Sequence, residues 1–254
     1  MKKLLLATTV MLSIVFVGCN STSENSAKDE TAESIVSKIH KATDVSGERE
    51  SINSALLVYN SGTGDKDESE VTLKIRKDGK FRLEVRRDNK LMVKAYDGKS
   101  GWEYTTDKGL RVLEGNELNE LKFQSVYMVP DFDFYRLFAK VELAGDKKVA
   151  GVDCWELVCT PKAEFESQPV IICVNKSNYL ITKTIEQLDV KDKVVEIVTF
   201  LGDYENIDGI MTAQLMISQI DNSKLAEVKL VKAEWNVKFA DSEFAEPLAL
   251  SRTK

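Results

Sequence analysis

The sequence predicts a mainly β fold with a few helices, and three observations carry that expectation. Short segments of strict apolar/polar alternation recur from residue 52 onward, as half-buried strands require. Asp-Gly, Asn and Ser clusters separate them at hairpin spacing. A single amphipathic helical pattern precedes them, and no sustained heptad repeat occurs among 254 residues with four prolines.

The chain begins with Lys2 and Lys3, then runs apolar from Leu4 to Val17 with only Thr8, Thr9 and Ser13 interrupting. That run is short of the about 20 residues a membrane-spanning helix needs and has the size of a signal-peptide core. Phe16-Val17-Gly18-Cys19 resembles a lipobox, with Phe16 where Leu is usual. The resemblance implies a lipoprotein signal peptide over 1–18, cleavage before Cys19, and acyl chains on that cysteine as the partner of a membrane. Each buried methylene contributes about 0.8 kcal/mol, so several chains anchor stably where one binds reversibly. Asn20 stands where Asp would favour inner-membrane retention, so the expected location is an outer-membrane lipid anchor facing the periplasm, with the inner membrane and the cell surface as the alternatives.

Residues 19–31 hold Ser, Thr, Asn, Glu, Lys and Asp with no large apolar side chain after Cys19. Such a stretch buries too little surface to order itself and is expected to be a flexible tether. The rest, 32–250, shows no interdomain linker and is expected to fold as one domain, as a monomer. The net charge of −6 becomes more negative once the two leader lysines are lost, which argues against a nucleic-acid partner.

A helix is expected over Ala32–Thr43, with Ile35, Val36, Ile39 and Ala42 on one side. Strands are expected at 52–60, 68–77, 80–88, 91–97, 101–106, 110–113, 141–148, 152–160, 169–175, 179–190, 193–204, 210–220 and 224–238. Between Ile75 and Phe81 a two-residue turn would mix the faces. A three-residue Lys77-Asp78-Gly79 loop with a left-handed Gly79 pairs Ile75 with Phe81 and Leu73 with Leu83, keeping one face apolar. The alternation breaks at 117–140, where Leu118, Leu121, Val126, Met128, Phe132, Phe134, Leu137 and Phe138 cluster. One or two short helices split near Pro130 are expected there.

About twelve strands present on the order of 1,000 Å² per face, whereas a twelve-residue helix covers roughly 200 Å². The sheet must therefore curl on itself, stack, or leave a hollow for an apolar ligand, and periodicity does not choose among these.

Several stretches bear on that choice. Tyr96-Asp97-Gly98-Lys99-Ser100-Gly101-Trp102 is similar to a hairpin of the outer-membrane lipoprotein-sorting protein-like family. Val149 to Leu157 with Thr160-Pro161, Asn175 to Lys183, Asp203 to Ile210, and Trp235 to Pro247 resemble its later motifs in order. Asn175 replaces an Asp of the pattern, and Ile181 stands where Pro is usual. The resemblance implies a curled, incomplete antiparallel β-barrel with helices on its concave side, and a non-enzymatic binder of acyl chains or lipoproteins. A scaffold lipoprotein with a self-filled sheet is the alternative. Phe81, Trp102, Tyr104, Phe134, Phe138 and Trp155 are candidates to line a lipid hollow, with ordinary core as the competing assignment.

Chemistry that would mark an enzyme is sparse. His40 is the single histidine, beside the apolar stripe of the expected helix, where a surface or boundary role is expected. Cys154, Cys159 and Cys173 lack Cys-x-x-Cys spacing, so no metal site is expected, and no Gly-rich phosphate loop points to a cofactor. Asp131-Phe132-Asp133 is too short to specify a site. In an exported setting Cys173 could bridge to Cys154 or Cys159, against three buried free thiols. Cys154 and Cys159 themselves are five apart and face opposite sides of their strand.

Overall fold

The computed structural model describes residues 30–62, 68–128, 133–190, 193–220 and 223–247. The leader 1–18, Cys19, nearly all of the tether, Pro130 and Asp131-Phe132 lie outside the described residues.

Helix α1 (Ala32–Thr43) starts at Thr31, whose side chain accepts a hydrogen bond from the Ser34 amide, and buries Ala32, Ile35, Val36, Ile39 and Thr43. Strands β1 (Ser54–Gly62), β2 (Ser69–Arg76), β3 (Phe81–Arg87), β4 (Lys90–Tyr96), β5 (Gly101–Thr105) and β6 (Gly109–Leu113) follow. Helices α2 (Gly115–Tyr127) and α3 (Phe134–Leu137) then interrupt the strands. The second run is β7 (Phe138–Val149), β8 (Val152–Pro161), β9 (Val170–Asn175), β10 (Ile181–Val190), β11 (Lys193–Ile207), β12 (Ile210–Ile220) and β13 (Ser223–Trp235). All thirteen expected strands are present, with ends displaced by at most three residues. The last was expected to reach residue 238 but stops at Trp235, because Asn236 turns left-handed at φ 58° and its side chain accepts from the Asn53 amide at 2.8 Å.

The strands form one antiparallel sheet in the order β6-β5-β4-β3-β2-β1-β13-β12-β11-β10-β9-β8-β7. First and last strands pair at its centre, Ala55 opposite Trp235. The edges are β6 and β7, which do not pair with each other. The barrel is thus curled and incomplete, and the chain between its two edges is the α2–α3 segment. The β2–β3 register places Ile75 opposite Phe81 and Leu73 opposite Leu83. Gly79 sits at φ +84° in the connecting loop, as the bulged three-residue turn requires.

The two faces of the sheet differ. Alternation sends Leu57, Tyr59, Val71, Leu73, Ile75, Phe81 and Leu83 inward into one core with Ile35 and Ile39 of α1, Leu121 and Tyr127 of α2, and Phe134 and Leu137 of α3. Burying each such large apolar side chain contributes about 1.5–3 kcal/mol. The convex face carries two small clusters, Val93-Ala95-Trp102 and Val149-Cys154-Cys173. Residues after β13 cross the first of these. Arg82 Nη1 donates to the Glu243 carbonyl at 2.8 Å, Lys74 pairs with Glu243 at 2.6 Å, and Arg76 and Lys80 pair with Asp241 at 2.5 and 2.7 Å.

Candidate functional site

The six candidate cavity residues fall in two places. Phe81, Phe134 and Phe138 are at most 1% exposed and belong to the concave core. Phe134 and Phe138 lie 5.9 Å apart between ring centroids. Trp155 lies against the same core at its rim, with Lys176 Nζ 3.7 Å from its ring centroid. Trp102 and Tyr104 are on the opposite, convex side. Their expected place in the hollow is corrected by Gly101: the inward position of β5 belongs to this glycine, whose missing side chain lets Leu121 and Leu118 of α2 approach, so the next residue points out.

Among the described residues, native side chains pack the concave face, and the larger openings lie at its margins. A cleft of about 680 Å³ beside α1 is lined by polar groups including Glu33, His40, Asp44, Arg49, Asp133 and Arg136. A second opening of about 470 Å³ lies where the β2–β3 and β4–β5 turns meet α2, with Tyr96, Val126 and Phe165 on its walls. Between α2 and the β9–β10 pair only about 20 Å³ remains, shared by Glu120, Phe123, Tyr127 and Glu186.

The cover over the hollow is tied down mainly at its first turn. Arg111 of β6 grips Glu117 of α2 with both terminal nitrogens, at 2.6 and 2.8 Å, while its Nε reaches Glu103 at 2.9 Å. The Arg111 hydrogen bonds hold the Glu117 carboxyl below its ordinary range, against the opposing effect of burial. Glu103 itself is 3% exposed, a buried carboxylate that needs such partners. Further along, Asn119 donates to Glu166 at 2.6 Å.

His40 sits in the cleft wall with its ring 5.9 Å from Phe134. Its Nε2 is buried with no hydrogen-bond partner among the described residues. Burial lowers its pKa, Arg49 adds to the effect, and Asp133 opposes it. The boundary position expected for this residue is where it stands.

Cys154, Cys159 and Cys173 are all free and buried, so the bridge considered from Cys173 is absent. Cys159 faces the concave core, while Cys154 and Cys173 share the convex cluster. Cys154 pairs in register with Asn175 and Glu156 with Cys173, so the two thiols of that cluster are diagonal neighbours. No group of three His, Cys, Asp or Glu side chains gathers to hold a metal among the described residues. Nor is any helix among them long and apolar enough to cross a membrane.

Sequence reasoning missed a row of hydroxyls on the concave face. Thr184 of β10, Thr199 of β11 and Ser218 of β12 are successive register partners, each 1% exposed. The signal was present, since all three sit at inward positions of expected strands.

A family model described as an uncharacterized protein matches residues 131–248, and no curated protein matches the chain. Solved structures are similar over most of the length. A protein of the DUF1329 family from Desulfovibrio piger is 19% identical, covering 87% of this chain and 99% of that one, with a TM-score of 0.54. A LolA superfamily protein from Nitrosomonas europaea is 14% identical over 85% and 98%, with a TM-score of 0.55. A putative outer membrane lipoprotein-sorting protein domain from Vibrio parahaemolyticus is 12% identical over 79% and 94%, with a TM-score of 0.52. At these identities the likeness is one of architecture: the chain has the curled, open-sheet fold of the LolA superfamily and of outer-membrane lipoprotein-sorting domains.

Proposed function

We propose that this chain is a membrane-tethered, non-enzymatic envelope protein that binds acyl chains or lipoproteins on the concave face of its sheet. The observation that carries the reading is the unpaired β6 and β7 edges, bridged by a helical segment that covers the apolar face. Guest and cover are chemically alike. An acyl chain that takes the place of Leu121, Phe123 and Tyr127 exchanges one apolar burial for another, at about 25 cal/mol per Å² in either direction. The opening beside Tyr96, Val126 and Phe165 is the portal in this reading. The LolA-superfamily and lipoprotein-sorting relatives in fold support the same assignment, as does the resemblance of the sequence motifs.

Acyl chains on Cys19 would hold the protein to the outer membrane with residues 32–250 in the periplasm, acting as a single domain. Export followed by handover of apolar chains to another greasy site makes participation in lipoprotein sorting the finer form of the proposal.

The filled core favours a second reading, an interaction lipoprotein whose sheet is closed by its own side chains. Native mass spectrometry of the unacylated protein, purified from bacteria, separates the two. Co-purifying lipid or uptake of a fluorescent fatty-acyl probe supports the first. A clean apo mass with no uptake, and a protein partner recovered by crosslinking, supports the second. Anchoring is tested separately: Cys19→Ala is expected to move the protein out of the membrane fraction, and retention there would refute the tether.

A further inference from the structure

The row of hydroxyls interrupts an otherwise apolar wall. Thr199 Oγ1 and Ser218 Oγ satisfy each other at 3.1 Å, but Thr184 Oγ1 has no hydrogen-bond partner among the described residues. Tyr59, which points inward from β1 and is 1% exposed, likewise leaves its Oη without one. Each buried, unsatisfied polar group costs about 1–3 kcal/mol, and folded proteins keep few of them. Val in place of Thr184 and Phe in place of Tyr59 would fill the same space without that cost. Tyr59 belongs to the concave core and Thr184 lies on the same face, opposite the core residue Ile172, so in the acyl-binding reading the partner they lack is one that arrives with a ligand.

Resting on the acyl-binding reading above, we propose that these hydroxyls receive the polar end of the bound lipid and select a neutral acyl ester over a free fatty acid. A hydroxyl donates well to an ester carbonyl without any charge to neutralise. A carboxylate in the same place would need a cation, because an unpaired charge in a low-dielectric interior is far more costly than a neutral polar group. The charged side chains buried among the described residues are Arg49 and Glu103, and neither belongs to β10, β11 or β12. Glu186, two residues beyond Thr184 on β10, and Glu120 of α2 share the small gap beside this wall. Burial raises the Glu120 pKa, and a second carboxylate brought there would add like charge. Phe123, Gln124 and Tyr127 of α2 line that same gap, so lifting α2 would widen it on the Thr184 side of the wall.

The test uses the full chain carrying Cys19→Ser and four fluorescent probes of matched acyl length: a diacylglycerol, a diacylated cysteinyl peptide, a free fatty acid and an alkane. Wild-type binding is expected to favour the two ester probes over the acid by about tenfold or more, and the tighter of the two identifies the source of the ester. Thr184→Val and Tyr59→Phe are each expected to weaken ester binding by about 2- to 12-fold, the range for loss of one net hydrogen bond, while alkane binding stays unchanged. Their melting temperatures should equal or exceed the wild type, which shows that they fold. Unchanged ester affinity, or equal losses for ester and alkane, overturns the hydroxyl assignment while leaving acyl binding intact. Failure of all four probes to bind wild type overturns the acyl-binding reading itself.

Discussion

Trp102 Nε1 donates a 2.8 Å hydrogen bond to the backbone carbonyl of Phe244, across the convex face of the sheet. This contact fixes the segment after β13, with Phe244 fully buried and Phe239 edge-on to it at 6.0 Å. Trp102→Phe keeps most of the ring and removes the donor, leaving a buried carbonyl unsatisfied. The expected cost is about 1–3 kcal/mol, with about 2–4 °C of melting temperature per kcal/mol for a domain of this size. Acyl-probe affinity should not change, because the tryptophan lies on the face away from the hollow. A loss of binding without loss of stability would return Trp102 to the ligand site.

The three internal thiols are expected to be free and slow. Burial pushes Cys173 up to about 11 and raises Cys154 and Cys159 as well, so little thiolate exists at neutral pH. A maleimide added to the folded Cys19→Ser protein should label none of them within minutes, and denatured, unreduced protein should label all three. Fewer than three labels after denaturation would reveal a disulfide.

The strands, their register and the first helix were legible because each rests on a local period. Ile75 meets Phe81 for the same reason that Thr72, Lys74 and Arg76 face out. Trp102 was misplaced because the size of a side chain does not tell which face it takes; that depended on α2 pressing against Gly101, a contact between elements. The filling of the hollow was equally out of reach, since it depends on where α2 and α3 settle over the open edge. Thr184, Thr199 and Ser218 were readable as inward residues, but their alignment into one row follows from the β10–β11–β12 register, which no single segment contains.

His40 supplies a pH dependence whose sign is fixed by burial. Its folded pKa lies below the unfolded value of 6.5, so the unfolded chain takes up a proton first as pH falls. Stability is then full above about pH 6.5 and declines through the window between the two pKa values, levelling below the folded one. His40→Asn should lose that component of the decline, read as the difference between wild-type and variant melting curves from pH 8 to 5. Parallel curves would show that the imidazole titrates as it does in the unfolded chain.

Gly101 is the place to disturb the cover with the smallest change to the concave face, a single methyl group. A Cβ there would stand 2.9 Å from Leu121 Cδ2 and 3.0 Å from Leu118 Cδ1, closer than van der Waals contact allows. The backbone at Gly101 suits any residue, so the strain falls on the seat of α2. Leu121 is 2% exposed and has little room, while Leu118, less enclosed, turns aside more readily. Gly101→Ala is therefore expected to cost about 1 kcal/mol, at the low end for overpacking, and to lift α2 slightly from β5. If α2 is the cover, acyl-probe exchange should quicken in Gly101→Ala and quicken again when Glu117→Gln weakens the Arg111 clamp. Stopped-flow displacement measures both. Exchange rates that stay at the wild-type value, in a variant whose melting temperature has fallen, would mean that lipid enters by another route and that the helix is a fixed wall.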